Sequence, residues 1–145
     1  MVSGAGAVAQ AVWNDAHGFV PTYGIGDYDL VYFERADPSE PAERRAETSA
    51  RSILADLGVT LDVTSEARVH EWYPQRFGRT IAPYRSTKDA IATWPTTATS
   101  IGVRRERSGQ VTFCAPFGLD DLLALVVRPN KAIVARDVFE AKVGR

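Results

Sequence analysis

The feature that most constrains the fold is an apolar and aromatic run with two aspartates at its start, Asp27-Tyr28-Asp29-Leu30-Val31-Tyr32-Phe33. A short run that is apolar on both faces predicts an interior β-strand. Asp27 and Asp29 are two residues apart, so in a strand both side chains lie on the same face. Two such carboxylates repel each other unless a cation lies between them. The segment therefore predicts either an Mg²⁺-binding pair or a solvated strand end with a turn-forming aspartate.

Asp62 is a third candidate carboxylate, and it lies between Leu61 and Val63 in a strand predicted over residues 59–63. An acidic residue flanked by apolar ones in a strand faces either solvent or a functional site. If this strand pairs beside the first one, Asp62 approaches Asp27 and Asp29. The alternative is an edge strand with one solvated face.

The remaining segments alternate between helical spacing and turn signals. Helices are predicted over residues 8–16, from 37–41 to about 57, and over 87–94, 119–127 and 133–143. Two strands, 101–106 and 110–114, flank Ser108-Gly109 and predict a hairpin. Residues 19–26 read as a loop. The stretch 71–84 is rich in aromatic residues, Pro and Gly and supports no assignment.

Bulk properties exclude several classes of partner. The 145 residues are the size of one domain, and 17 basic against 18 acidic residues leave a net charge of −1. No general attraction to nucleic acid is expected from this balance, so any recognition of phosphate is local. No apolar stretch approaches the ~20 residues that cross a bilayer, and no signal peptide is recognised, so we expect no membrane partner and a cytoplasmic location. The single cysteine, Cys114, fits a reducing compartment.

The order of these features resembles the DNA polymerase β-like nucleotidyltransferase superfamily: a glycine-bearing turn into a helix, Asp-x-Asp on a strand, and one acid on a later strand. More closely, the chain is similar to a bacterial family of nucleotidyltransferase-like proteins. The similar segments span nearly the whole chain in order: Gly6-Ala7-Val8 through Val12-Trp13, His17-Gly18, 27–33, Ala67-Arg68-Val69-His70, Pro83-Tyr84, 94–99, 115–122 and Val127-Arg128-Pro129-Asn130.

The resemblance implies one α/β (α+β) domain over residues 1–145, with a mixed β-sheet flanked by helices. It implies Asp27, Asp29 and Asp62 as catalytic residues and as ligands of two Mg²⁺ ions. Gly6, with Gly4 beside it, would lie in a turn whose backbone N–H groups bind phosphate. The substrate would be an NTP, whose nucleoside monophosphate moves to an acceptor hydroxyl while pyrophosphate leaves. Asp62 would be closest to that hydroxyl and could help remove its proton. The sequence identifies neither the acceptor nor the base.

Arg68 and His70 follow the Asp62 strand and are two residues apart. Both could reach phosphate or substrate, and we include them with Gly4 and Gly6 as candidate nucleotide-binding residues. The equal alternative is that Arg68 pairs with an acid and His70 packs against aromatic rings. Trp72, with Tyr73 beside it, is a better candidate for stacking a base than Trp13, which lies on a helix among apolar residues.

Three departures from the family pattern concern the part of the expected site that would bind the triphosphate. Ala7 follows the turn glycine where Gly or Ser is usual, Ala9 and Gln10 stand where relatives tend to carry Arg-Asn, and Ser65 and Glu66 replace Asn-Gln. Each change removes a cation or a polar donor. Two alternatives therefore stay open: a non-catalytic nucleotide- or metal-binding module, such as a regulator or a toxin–antitoxin partner, and a scaffold that has lost the site. Relatives also carry residues ahead of the glycine turn, which leaves open an N-terminally shortened form.

Overall fold

The computed structural model describes residues 1–131, and they are organised around one five-stranded sheet. The strands are β1 Val2–Gly4, β2 Tyr28–Tyr32, β3 Leu61–Ser65, β4 Gly102–Arg105 and β5 Val111–Cys114. Their spatial order is β3-β2-β1-β4-β5. The β2–β3 pair is parallel and the other three pairs are antiparallel. The expected mixed sheet flanked by helices is confirmed.

Within the described part of the chain, five helices accompany the sheet: α1 Gly6–Ala16, α2 Glu40–Ile53, α3 Val69–Phe77, α4 Thr87–Ile91 and α5 Asp120–Leu123. Short 3-10 turns occupy Ala55–Leu57 and Glu66–Arg68. Within residues 1–131, no helix combines the length and the apolar composition that a bilayer crossing needs. The helix predicted over residues 133–143 lies outside the described residues.

The α2 helix covers one face of the β2–β3 pair. Its N-terminus is capped by Ser39, whose hydroxyl accepts a hydrogen bond from the Ala42 N–H at 3.3 Å. Ala50 of α2 packs with Leu61 and Val63 in a buried cluster, and alternate residues of β2 join the same cluster. Because side chains alternate along a strand, the residues between them face the opposite side of the sheet. Asp29 and Asp62 are on that opposite face.

A second cluster joins α1 to α5 and to the start of β4. Its buried members are Ala9, Ala98, Ile101 and Leu122. Trp13 packs against it, and its indole N–H donates to the Leu122 carbonyl oxygen at 2.9 Å. This packing places α1 beside the sheet, with its N-terminus directly after β1.

Several elements differ from the sequence prediction. Strand β1 was not predicted, and helices α2 and α4 end earlier than expected, at Ile53 and Ile91. Helix α3 covers half of the unassigned stretch and contains Pro74; Gly78 ends it in the left-handed region, at φ 68°. Helix α5 ends at Leu123 because Leu125 adopts a φ of 61° and the Val126 N–H bonds back to the Asp121 carbonyl oxygen. Strand β3 begins and ends two residues later than predicted, which leaves Asp62 on the same face.

Two glycines allow the centre of the sheet to pack closely. Gly4 of β1 and Gly102 of β4 are cross-strand partners. A Cβ on Gly4 would lie 2.6 Å from Cη2 of Trp94 and 3.0 Å from the Ile101 carbonyl oxygen, and one on Gly102 would lie 2.5 Å from Cγ1 of Val2. These distances are too short for real contacts, so glycine is required here for steric reasons.

We therefore expect Gly4→Ala to lower the free energy of unfolding by about 1–3 kcal/mol, the usual cost of overpacking. Gly26→Ala is the matched control, because a Cβ there meets nothing within 4 Å. Its effect should stay within ~0.5 kcal/mol. Urea unfolding followed by circular dichroism measures both values. Equal stability of the two variants would contradict the steric requirement at Gly4.

Candidate active site

Two aspartates face each other across the parallel strands. Asp29 of β2 is the direct cross-strand partner of Asp62 of β3. Neighbouring strands lie about 4.8 Å apart, so the two carboxyl groups leave the backbone side by side. Asp29 is half-buried and Asp62 is exposed, since β3 is an edge strand. The register thus brings two of the predicted site residues together and makes β3 the solvated edge strand that the sequence left open.

Asp27 precedes β2 and lines the same polar cavity as Asp29 and Asp62. This cavity has a volume of about 520 Å³. Asp27 enters it from the glycine-rich loop, where Gly24 and Gly26 also contribute to the wall. The three carboxylates therefore share one cavity. Within residues 1–131, however, no three Asp, Glu, His or Cys side chains are gathered closely enough to hold a metal ion.

The N-terminus of α1 also lines the polar cavity, through Gly6, Ala7 and Gln10. The first N–H groups of a helix lack intrahelical acceptors and carry partial positive charge, which favours anions. Ala5, directly before the helix, has a φ of 54° and a ψ of −128°, a conformation that costs an L-residue energy. Its N–H is held by the Ile101 carbonyl oxygen at 3.0 Å. This hydrogen bond to the residue before β4 thus holds the turn at Ala5 in a conformation that glycine would adopt more easily.

An aromatic cavity of about 260 Å³ lies on the other side of the aspartate pair. Its walls include five aromatic residues: Trp72, Tyr73, Phe77, Tyr84 and Trp94. Asp29, Asp62, Arg76 and Thr99 line both cavities. The aspartate pair therefore lies where the polar and the aromatic cavities meet.

Arg76 is the cation of this junction, and the sequence reasoning missed it. It projects from α3, with its guanidinium carbon 5.9 Å from the centre of the Trp72 ring and 5.5 Å from that of Phe77. Such contacts hold a guanidinium by cation–π attraction. Arg76 lies in the stretch that had no predicted helix, so the direction of its side chain could not be inferred from the sequence.

Glu66 is the second residue that the sequence reasoning missed. It lines the aromatic cavity and is only 4% exposed. Burial, and secondly the nearby charge of Glu43, raise the pKa of its carboxyl group to about 7. The sequence comparison treated Glu66 as the loss of an amide. Its position directly after the Asp62 strand was the available signal that it could reach the site.

Three of the predicted nucleotide-binding residues lie elsewhere. Arg68 pairs with Glu43 at 2.7 Å, and both side chains are largely buried, at 13% and 16% exposure. The second carboxylate oxygen of Glu43 accepts the Ser65 N–H at 2.7 Å, so this pair joins α2 to the end of β3. His70 is half-buried, and neither it nor Arg68 lines the polar or the aromatic cavity. Gly4 is a strand residue packed against Trp94.

A mixed sheet that carries paired aspartates beside a helix N-terminus defines a nucleotidyltransferase-like protein. Residues 1–145 match the family described as Nucleotidyltransferase, and the chain belongs to this family. A solved structure, described as an NMR structure that reveals a CCA-adding enzyme head domain, matches with a TM-score of 0.74. Identity is 22%, and the match covers 97% of this chain and 72% of that one, which supports the fold. No curated protein sequence matches significantly. Family and fold together support nucleotidyl transfer as the general activity.

The buried Glu66 predicts a pH-dependent stability. The pKa of its carboxyl group is raised from 4.5 to about 7 in the folded protein. The free energy of unfolding is therefore highest below pH 4.5, where the group is protonated in both states, and it falls as the pH rises to about 7. The total loss is about 3 kcal/mol. In Glu66→Gln the charge is absent, so we expect this variant to exceed the wild type in free energy of unfolding at pH 8 and to match it near pH 4.5. Urea unfolding across this range measures the difference. A difference that does not change with pH would contradict the assignment.

Proposed function

We propose that this protein is an Mg²⁺-dependent nucleotidyltransferase that moves a nucleoside monophosphate from an NTP to an acceptor hydroxyl. The observation that carries the proposal is the direct opposition of Asp29 and Asp62 at the junction of two cavities. Like charges at this spacing are costly unless a cation offsets them. Family membership supports the same reaction class.

The donor set fits Mg²⁺, which prefers carboxylate oxygens and keeps positions for water and phosphate. Asp29 and Asp62 would hold it, with Asp27 joining from the loop that lines the same cavity. When bound, the metal would neutralise negative charge on the transferred phosphoryl group. The sheet holds Asp29 and Asp62 in fixed register, so little reorganisation is needed at this pair.

The polar cavity supports binding of the triphosphate. The N-terminus of α1, at Gly6 and Ala7, offers backbone N–H groups, and Arg76 offers a positive charge across the junction. These groups provide phosphate ligands that do not depend on the hydroxyl missing at Ala7. Their stabilisation of charge accounts for most of the catalysis expected from such a site.

Asp62 is the carboxylate that an acceptor hydroxyl can approach from solvent, because it lies on the edge strand and is more exposed than Asp29. We propose that it orients this hydroxyl and accepts its proton. The acceptor itself stays open, and the near-neutral net charge does not favour a long nucleic acid.

A nucleotide-binding module without catalysis is the second candidate. The specific observation in its favour is that the acidic side chains of residues 1–131 do not form a three-ligand metal cluster. This alternative predicts NTP binding without turnover. The transfer assay below separates the two.

Asp29→Asn and Asp62→Asn should each lower nucleotidyl transfer about 100-fold or more, because each removes charge from the site. Asp56→Asn is the matched control, since Asp56 is exposed and lies outside both the polar and the aromatic cavity. Pyrophosphate release with Mg²⁺ and each of the four NTPs, together with radiolabelled NTP transfer, measures the rates. Wild-type activity in Asp29→Asn would contradict the mechanism. NTP binding without turnover in the wild type would favour the non-catalytic module.

A further inference from the structure

We propose that the aromatic cavity binds a nucleobase and that Glu66 recognises the hydrogen-bonding edge of that base, with guanine as the preferred one. This inference rests on the proposed function, because it assigns the part of the nucleotide that lies beyond the aspartate pair. The polar cavity would take the phosphates, and the aromatic cavity would take the ring.

The walls of the cavity suit a flat ring. Trp72, Tyr73 and Phe77 come from one helix, and the Tyr73 and Phe77 ring centres are 4.6 Å apart. Trp94 and Tyr84 complete the wall from other segments. Nucleobases stack on such side chains with little dependence on their identity. Stacking therefore explains binding of a base but not a choice between bases.

The cavity is continuous with the reaction site. Asp29, Asp62 and Thr99 line it as well as the polar cavity. A nucleotide whose reacting phosphate lies at the aspartate pair can extend its phosphates toward α1 and its base toward Trp72. This geometry does not require any movement of the sheet.

Glu66 provides the selective contact. It is 4% exposed and lines the aromatic cavity. Burial and the nearby charge of Glu43 both raise the pKa of its carboxyl group, and within residues 1–131 the carboxylate has no salt-bridge partner within 4.0 Å. The hydroxyl of Tyr84, another polar atom of this wall, already hydrogen-bonds Thr93 at 2.8 Å. Glu66 is therefore a buried acceptor group of this wall that a ligand can contact.

Guanine matches a carboxylate better than the other bases do. An ionised carboxylate only accepts hydrogen bonds and has two oxygens side by side. The Watson–Crick edge of guanine carries two adjacent donors, N1–H and N2–H₂. Adenine presents one donor beside an acceptor, and so does cytosine, while uracil has one donor between two acceptors. Binding guanine would also supply the compensation that the buried carboxylate lacks.

Calorimetric titration with Mg²⁺ at pH 8 tests this inference on the wild type, Glu66→Gln and Trp72→Leu. The probes are the four NTPs and inorganic tripolyphosphate, which has no base. We expect GTP to bind most tightly, and Glu66→Gln to weaken GTP about 10-fold, as for loss of a bidentate contact. Trp72→Leu should weaken all four NTPs. Glu66→Gln should not change tripolyphosphate binding, and this constancy also verifies that this variant is folded.

Glu71→Gln is the matched control, because Glu71 is exposed, lies near Glu66 in the sequence and lines neither the aromatic nor the polar cavity. Guanosine that competes with GTP would support the assignment of the cavity to the base of the NTP, and guanosine that binds beside GTP would overturn this assignment. Tripolyphosphate binding with equal affinity for all NTPs in the wild type and Glu66→Gln would overturn this inference alone. No binding of tripolyphosphate or of any NTP would overturn the proposed function as well.

Discussion

The parallel pairing of β2 with β3 is the constraint on which the site depends. It places Asp29 directly opposite Asp62, and α2 covers the other face of the same two strands. A register shift of one residue would turn Asp62 toward the apolar cluster and Leu61 toward the cavity. Burial of Leu61 and Val63 therefore fixes the register, and the register brings the two carboxylates together.

Two arginines lie near the pair of Asp29 and Asp62. The ion pair of Arg68 with Glu43 holds the end of β3 against α2, outside both cavities. Arg76 brings a positive charge to the junction from the other side. Arg68 and Arg76, although close in sequence, thus have different roles: Arg68 stabilises the end of β3, and Arg76 lines the candidate site. Spacing alone does not distinguish them.

Much of the fold could be predicted from the sequence. The interior strand after Asp27, the hairpin around Ser108-Gly109 and the capped α2 helix each rest on strong local signals. Strand β1 was missed because three residues are too few to show a periodic pattern, although β1 lies at the centre of the sheet. Helix α3 was missed because Pro74 and the aromatic residues around it obscure helical spacing. Tertiary packing, not local propensity, decides both elements.

The same limits explain the predictions at the site. The proximity of Asp29 and Asp62 could be expected from the sequence because strand pairing follows from simple rules. Glu66 directly follows the Asp62 strand, but its importance was not recognised, since that importance comes from burial in a cavity whose walls include α3. Gly4 looked like part of a phosphate turn, but steric contact with Trp94 explains it. A residue's role here depends on which side of the sheet it reaches.

The central claim is that Asp29 and Asp62 together bind the divalent cation of a nucleotide complex. A crystal structure with Mn²⁺ and a non-hydrolysable NTP, with the anomalous signal of manganese recorded, tests this most directly. The account predicts an anomalous peak next to both carboxylates, with the phosphates directed toward the N-terminus of α1. A manganese peak elsewhere, or a bound nucleotide whose phosphates avoid the aspartate pair, would contradict it.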